Sequence, residues 1–411
     1  MKIIQTLWTK PSFSKNSEKH IENRLSGGWL KSKYYYFAMA YSCLTLRKYY
    51  DNVELVTDDF GIDLLINKLK LPYTSVKVLP NYFNSVPVGL WALPKIYSYS
   101  IQDEPFLHVD NDIFIWDKLC NENAALLVQN FEKISGVYDF AIKNIQKHCK
   151  KCPDFLDGLN VNDYQSINAG VFGGNDIKFI KYYTNFVFNF VNLNLKNLTF
   201  NDSGVTNVIY EQLFFYQLAK QMKKTISTVV SEKFANNITN FVKFEQIPFS
   251  SKYIHCLGGT KGNYKICKQI ELRLCDEYPK EYEQILKYLK INNNTSKTIQ
   301  MANYQKASKI FSGCKQKEDI LYIPLKLSPN IEIVQKNNKY YLIEGRKQYI
   351  LKNWNKMLLF FYGQFRTAED LLKDFANSDL SSNFDSEDLK DNIISVISYH
   401  SLYYNRFVSQ T

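Results

Sequence analysis

What this chain lacks narrows the field before any motif is read. Its 411 residues contain no run of about 18 apolar residues, so no membrane-spanning helix is expected. The opening MKIIQTLWTKPSF has too short an apolar stretch for a secretory signal and reads as a first strand, so the expectation is a cytoplasmic protein. The eight cysteines are scattered. HCKKC supplies a single Cys-x-x-Cys, Cys149 and Cys152, with His148 beside it. A structural zinc site wants a second close pair, and Cys256, Cys267 and Cys275 are too widely spaced to provide one, so plain thiols are expected. No nucleic-acid-binding motif occurs. The 51 basic and 40 acidic side chains give a net charge of +11, and the lysines do not gather in one segment. The excess fits either compositional bias or a modestly positive cleft for a phosphate-bearing partner.

What is present is ample material for a core: 45% hydrophobic and 15% aromatic residues over a length that suits two or three domains. KIIQTLW (2–8) reads as a strand, and GGWL (27–30) opens a long amphipathic helix running to about residue 50. NVELVTDDFG (52–61) is a strand and turn, IDLLINKLKL (62–71) a helix, SVKVLP (75–80) a strand, and LPKIYSYSIQ (93–102) a helix leading into the strand FLHVDNDIF (106–114). Strands alternating with helices predict a mostly parallel sheet covered on both faces, with ligands at the carboxyl ends of its strands. Asp58, Asp110 and Asp112 all fall at such ends. The polar stretch INNNTSKTIQ marks a linker, so the expected organisation is one domain over 1–290, a linker over 291–304 and a second domain over 305–411.

FLHVDNDIF poses the functional question. Asp110 and Asp112 flank Asn111, and side chains two apart on a strand point the same way. Two carboxylates in one small volume are costly unless a cation joins them. A hard divalent ion with oxygen ligands, commonly shared with substrate phosphates, is the functional reading; the bland one is a strand ending in a solvated turn. Three further stretches carry similar alternatives. SINAGVFGG (166–174) is a small-residue strand and turn that lets a ligand or backbone approach closely, or simply a core strand. YEQLFFYQLA (210–219) is a helix starting with Glu211 and Gln212, where a carboxylate is favourable in any case. YIHCLGGTKG (253–262) offers His255 as a third metal ligand or a core histidine, and a glycine-rich loop with Lys261 that suits phosphate.

The order HVDND, NAGVFGG, EQ, HCLGGTKG resembles glycosyltransferases of the GT-A fold, and is most similar to family 8, the glycogenin-like and lipopolysaccharide galactosyltransferase-like enzymes. The resemblance covers roughly residues 1–265 and implies a Rossmann-like, mostly parallel sheet with helices on both faces. It also implies Mn²⁺ or Mg²⁺ held by Asp110, Asp112 and His255, on the diphosphate of a nucleotide-sugar donor, a UDP-sugar by preference. Lys261 and the amides near Gly258 and Gly259 would help hold that donor, with Asn111 beside them; Asp58, after the NVELVT strand, could contact the nucleoside or merely end a strand. Asn168 would face the donor sugar, with Glu211 and Gln212 near the reacting centre. Retention of configuration is the family habit. The sequence departs from the family pattern in having Glu-Gln for Asp-Gln and Gly262-Asn263 where Pro-Trp would follow Lys261.

Past residue 305 the pattern changes. DILYIPLKL, NIEIVQ, KYYLIE and KQYIL are short β-prone runs. NWNKMLLFFYG reads as a helix ending at Gly363, TAEDLLKDFA as a second capped by Thr367 with Asp370, and DSEDLKDNIISVISYHSLYYNRF as a third. A small sheet followed by three helices is a winged-helix-like α+β module, and its run G-x-x-x-x-I-L…FYGQFRTAEDLLKDF resembles PqqD-like domains, which recognise the leader of ribosomally made precursor peptides. That resemblance implies a leader peptide docked as an added strand between a strand within 330–343 and the helix 386–404. The whole then reads as an enzyme moving a sugar to a Ser, Thr or Cys side chain of a tethered precursor peptide. The alternatives are a transferase for surface polysaccharide with a structural C-terminus, or a non-catalytic peptide-binding scaffold.

Overall fold

Among the described residues, seven strands, laid down in an order far from that of the chain, make the central sheet. They are β1 (Lys2–Leu7), β2 (Val53–Thr57), β3 (Ser75–Val78), β4 (Phe106–Val109), β6 (Leu127–Glu132), β7 (Ser166–Gly174) and β8 (Ser227–Thr228), ordered β3-β2-β1-β4-β7-β6-β8. β1 through β4 pair in parallel and β8 is parallel to β6, while β7 runs against both of its neighbours, β4 and β6. The result is the mixed α/β fold with a mostly parallel sheet that the alternation of elements predicts. This computed structural model describes residues 1–13, 27–133, 136–157, 159, 165–198, 206–247, 251–291, 304–306, 308–311, 313–314, 316–376, 386–404 and 406–409. The linker expected over 291–304 lies almost wholly outside them.

Successive strand residues face opposite ways, and here both faces are covered. Ile4, Phe106 and Phe172 enter one apolar cluster with the helices Leu93–Ser100 and Ile177–Asn194. Ile3, Leu107 and Val171 enter the other, with Leu46 of the helix Ser32–Tyr49. Burial on both faces explains why these strands read as unbroken apolar runs.

Two readings in the first part of the chain are corrected. FLHVDNDIF is two strands: β4 ends at Val109, residues 110–112 turn, and β5 (Ile113–Ile115) pairs antiparallel with β9 (Tyr253–His255) in a separate two-stranded sheet. The carboxylates therefore converge through a turn closed by Ile113 N–H donating to Asp110 O (3.2 Å), not through strand alternation. GGWL does not open the helix either. Gly27 (φ +56°) and Gly28 (φ +84°) adopt left-handed backbone that only glycine takes easily, and the helix begins at Ser32.

The chain divides into two compact units, residues 1–242 with 253–290, and residues 243–252 with 291–411. The second unit thus includes a segment that precedes β9. Within it, β10 (Leu325–Leu327) pairs antiparallel with β14 (Phe407–Ser409), and β11 (Ile331–Lys336), β12 (Lys339–Glu344) and β13 (Lys347–Ile350) form an antiparallel three-stranded sheet. Asn337 and Asn338, both with positive φ, make the tight turn between β11 and β12. DILYIPLKL is not one strand: residues 317–322 form a 3₁₀ turn ahead of β10. NWNKMLLFF is likewise a 3₁₀ segment, Asn353–Phe361, and not an α-helix. The other two helices stand where the sequence puts them, Ala368–Ala376 and Ser386–Tyr404. The first has a reciprocal cap: Asp370 N–H donates to Thr367 Oγ1 (3.2 Å) and Thr367 N–H to Asp370 Oδ2 (3.1 Å).

Candidate active site

The site gathers at the carboxyl ends of β1 and β4, where the sheet reverses direction at β7. Asn111 Nδ2 donates to Thr6 O at the end of β1 (2.8 Å), and Asp110 N–H donates to Gly170 O on β7 (2.9 Å), pinning the turn from both sides. Cys256 N–H donates to Asp112 O (3.0 Å), which ties the turn to β9. Asp110, Asp112 and His255 then offer ligand atoms that all lie within 4.8 Å of one another.

Two lysines neutralise the carboxylates. Lys261 Nζ lies 2.6 Å from Asp112 Oδ2, and His255 Nε2 lies 3.3 Å from Asp112 Oδ1. Burial alone would raise the Asp112 pKa, but Lys261 and His255 outweigh it and hold the carboxyl well below the usual carboxylate range. Asp112 Oδ1 is itself buried and accepts no well-directed hydrogen bond. Lys95 Nζ bridges Asp110 Oδ1 (2.8 Å) and Glu211 Oε1 (2.6 Å). Burial opposes the charge on Lys95, yet Asp110 and Glu211 prevail and push its pKa well up. Burial raises the pKa of both Asp110 and Glu211, against the pull of Lys95. Beneath them His108 is buried, with Nε2 3.1 Å from Thr6 Oγ1; burial and then Lys95 push its pKa far down, so the ring is neutral.

Above this floor opens a cleft of about 490 Å³ lined by Asp110, Asn111, Asp112, Lys95 and Lys261, with Trp8, Trp29 and Trp91 among its walls. The Gly27–Leu30 turn seats one wall: Leu30 N–H donates to Lys261 O (3.1 Å), and Lys261 Nζ stands 5.9 Å from the Trp29 ring.

The remaining residues singled out from sequence are distributed unevenly. Glu211 is buried in a π-helical turn, Ile209–Leu213, inside the helical stretch 206–221, and meets the site through Lys95. Such turns are frequent at functional sites. Asn168 accepts from Gly170 N–H (2.9 Å) and donates to Glu132 Oε1 (2.5 Å). Gln212 turns instead to Tyr138, whose hydroxyl donates to its Oε1 (2.7 Å). Gly258 and Gly259 begin the 3₁₀ turn Gly258–Gly262 that carries Lys261. Asp58 caps a helical turn, its oxygens accepting from Thr9 N–H (2.8 Å), Thr9 Oγ1 (2.8 Å) and Gly61 N–H (2.9 Å). Those bonds occupy its carboxylate.

Two residues escaped the sequence reading. Lys95 had a visible signal as the only charged residue in LPKIYSYS, one turn before the buried Tyr99. Glu132 ends LVQNFE much as Asp110 follows FLHV; burial raises its pKa, opposed by the bond from Asn168.

A family model described as "Family of unknown function (DUF6734)" matches residues 1–288. No curated protein matches the chain. Among solved structures, the apo form of mouse xyloside xylosyltransferase 1 is similar over 55% of this chain and 84% of that one, at 8% identity and a TM-score of 0.29, too shallow a likeness to bear on activity.

Proposed function

We propose, for a chain that belongs to the DUF6734 family of unknown function, that it is a metal-dependent glycosyltransferase with a nucleotide-sugar donor, a UDP-sugar by preference. One observation carries the reading: Asp110, Asp112 and His255 present three ligand atoms within 4.8 Å of one another, and the two aspartates line a cleft that also holds Lys95 and Lys261.

The residues suit Mn²⁺ or Mg²⁺. Two carboxylates and an imidazole are a fitting donor set, and the buried Asp112 Oδ1 without a well-directed hydrogen bond is the atom such an ion would satisfy. Asp110, Asp112 and His255 would hold it. A divalent cation there supplies Lewis-acid stabilisation of the negative charge that gathers on a leaving diphosphate. The chain's own part is arrangement. Lys261, on its short turn, brings an ammonium to the cleft for the same phosphates. Lys95 keeps Asp110 and Glu211 as neighbours without mutual repulsion, and Trp8, Trp29 and Trp91 give the cleft apolar walls. Asn111 lines the cleft beside the carboxylates, while Asn168 of β7 and Glu132 of β6 form a polar pair. We take the transfer as retaining: Glu211 is buried against Lys95, whereas an inverting base must reach the acceptor hydroxyl.

The acceptor we favour is a Ser, Thr or Cys side chain of a precursor peptide whose leader adds a strand to the second unit. Among the described residues, β11 and β13 each have one strand neighbour, so each leaves an outer edge for strand addition. A second reading has its own support. Residues 243–252 belong with the second unit, and Gln246 Nε2 donates to Ser395 Oγ (3.2 Å) on the helix expected to flank the leader. On that reading the module is structural and the acceptor is a glycan.

Calorimetric titration of UDP, with and without Mn²⁺, into wild type and Asp112→Asn tests the donor site. We expect binding that requires the metal and falls at least tenfold in the variant. Equal binding without metal would remove the role of the two aspartates, and no binding at all would sink the UDP-sugar reading.

A further inference from the structure

His255 is gripped on the side away from Asp112. Its Nδ1 lies 2.5 Å from Gln129 Oε1, and Tyr253 Oη donates to that same oxygen at 2.6 Å. Tyr253 and His255 are two apart on β9, so both turn one face toward β6, where Gln129 is fully buried. The amide orientation is set by its other end, since Gln129 Nε2 donates to Asn130 Oδ1 (3.0 Å). An amide oxygen only accepts, so the hydrogen of a neutral His255 ring sits on Nδ1. That leaves the Nε2 lone pair facing Asp112. Gly170 makes room for the arrangement: a Cβ there would stand 2.5 Å from both Gln129 Oε1 and His255 Cε1.

We infer that Gln129 is the positioning residue of the metal site, holding His255 in the one tautomer whose Nε2 can ligate a divalent cation. The inference rests on the metal-binding reading above. Without Gln129, the ring's best remaining acceptor is Asp112 Oδ1, 3.3 Å from Nε2. A hydrogen placed on Nε2 to reach it would remove the lone pair from the side where the cation belongs.

The test uses the full chain and two readouts. Imidazole ¹⁵N shifts of metal-free protein report which nitrogen of His255 carries hydrogen, with a His255→Ala variant assigning the signal. Mn²⁺ titration in the presence of UDP reports affinity. Wild type should show Nδ1–H. Gln129→Met, similar in size but a poor acceptor, should move hydrogen to Nε2 and weaken Mn²⁺ binding about 10- to 100-fold. Gln129→Glu, which keeps an acceptor, should hold both the tautomer and near-native affinity. A neutral wild-type ring carrying its hydrogen on Nε2 alone overturns the inference. So does a folded Gln129→Met that binds Mn²⁺ like wild type, or an equal loss in both variants, which would make Gln129 a packing residue only. Nδ1–H in wild type with no Mn²⁺ uptake overturns the metal reading itself, and the intact ¹⁵N signature tells that failure from the other. Should Gln129→Met not fold, the wild-type tautomer and Gln129→Glu still decide.

Discussion

Replacing Lys95 by methionine would leave Asp110 and Glu211 buried together without their shared cation. Breaking such a pair costs about 3–5 kcal/mol, and Lys95→Met should lower the urea midpoint accordingly at neutral pH. The sign of the pH dependence follows from the direction of the shifts. Both carboxyls have folded pKa values above their ordinary 3.8 and 4.5, so each disfavours the folded state above its raised pKa. That penalty lifts as pH falls through the raised values. The gap between Lys95→Met and wild type should therefore narrow on acidification; a gap that widens would mean the pair is not the cause. Glu271 behaves in the opposite way. It takes Lys33 and Lys268, each at 2.8 Å, and although burial would raise its pKa, the two lysines depress it. Its stabilisation is present above the ordinary 4.5 and is lost as pH falls through the depressed folded value. Glu271→Gln should cost about 1–3 kcal/mol at neutral pH and little once both proteins are well below that range, which denaturant melts across pH would read directly. At this scale much of the site was legible. Asp110, Asp112, His255 and Lys261 announce themselves as polar groups at the ends of apolar runs. Lys95 shows only as a lone charge in an apolar helix, because its partners are Asp110, in the turn after β4, and Glu211, on a helix more than a hundred residues on.

At the scale of elements, the glycines of SINAGVFGG are read correctly as permitting close approach, but what approaches is chain. A Cβ on Gly173 would sit 2.1 Å from Phe106 O, a backbone atom that cannot swing away, and the residue's φ is +152°. Gly173→Ala should destabilise by about 3 kcal/mol or more, the upper end for overpacking, seen as a lowered midpoint with an unchanged denaturant slope. A loss within experimental error would show that β4 and β7 can separate. The break within FLHVDNDIF was not legible, for a physical reason. FLHV and IFI are both fully buried, so neither shows a period, and the partner that takes β5 out of the main sheet is β9, some 140 residues away. Local pattern carries no record of so distant a pairing. Helices with strong caps fared better: the Thr367–Asp370 pair starts a helix where its sequence says it should.

For the whole molecule, the composition change near 291 falls beside Lys290, the last residue of the first unit. What composition could not reveal is that residues 243–252 belong with the second unit, because ten residues bracketed by ordinary globular sequence carry no signal of their allegiance. Phe244 and Ile247 in that segment are buried. Residues 291–411 expressed alone should melt below the intact second unit, and a peptide of residues 243–252 should raise that melting temperature. An isolated C-terminal piece indifferent to the peptide would show the segment to be dispensable.

That placement of residues 243–252 constrains how such a gene can change. A recombination joint at codon 290 would encode a first unit that still carries Phe244 and Ile247 without their seat, and a second unit missing a piece of its own interior. Since β9, with His255, follows that segment directly, the appended module cannot be traded for another as a bead on a string. It must be inherited with the site it follows.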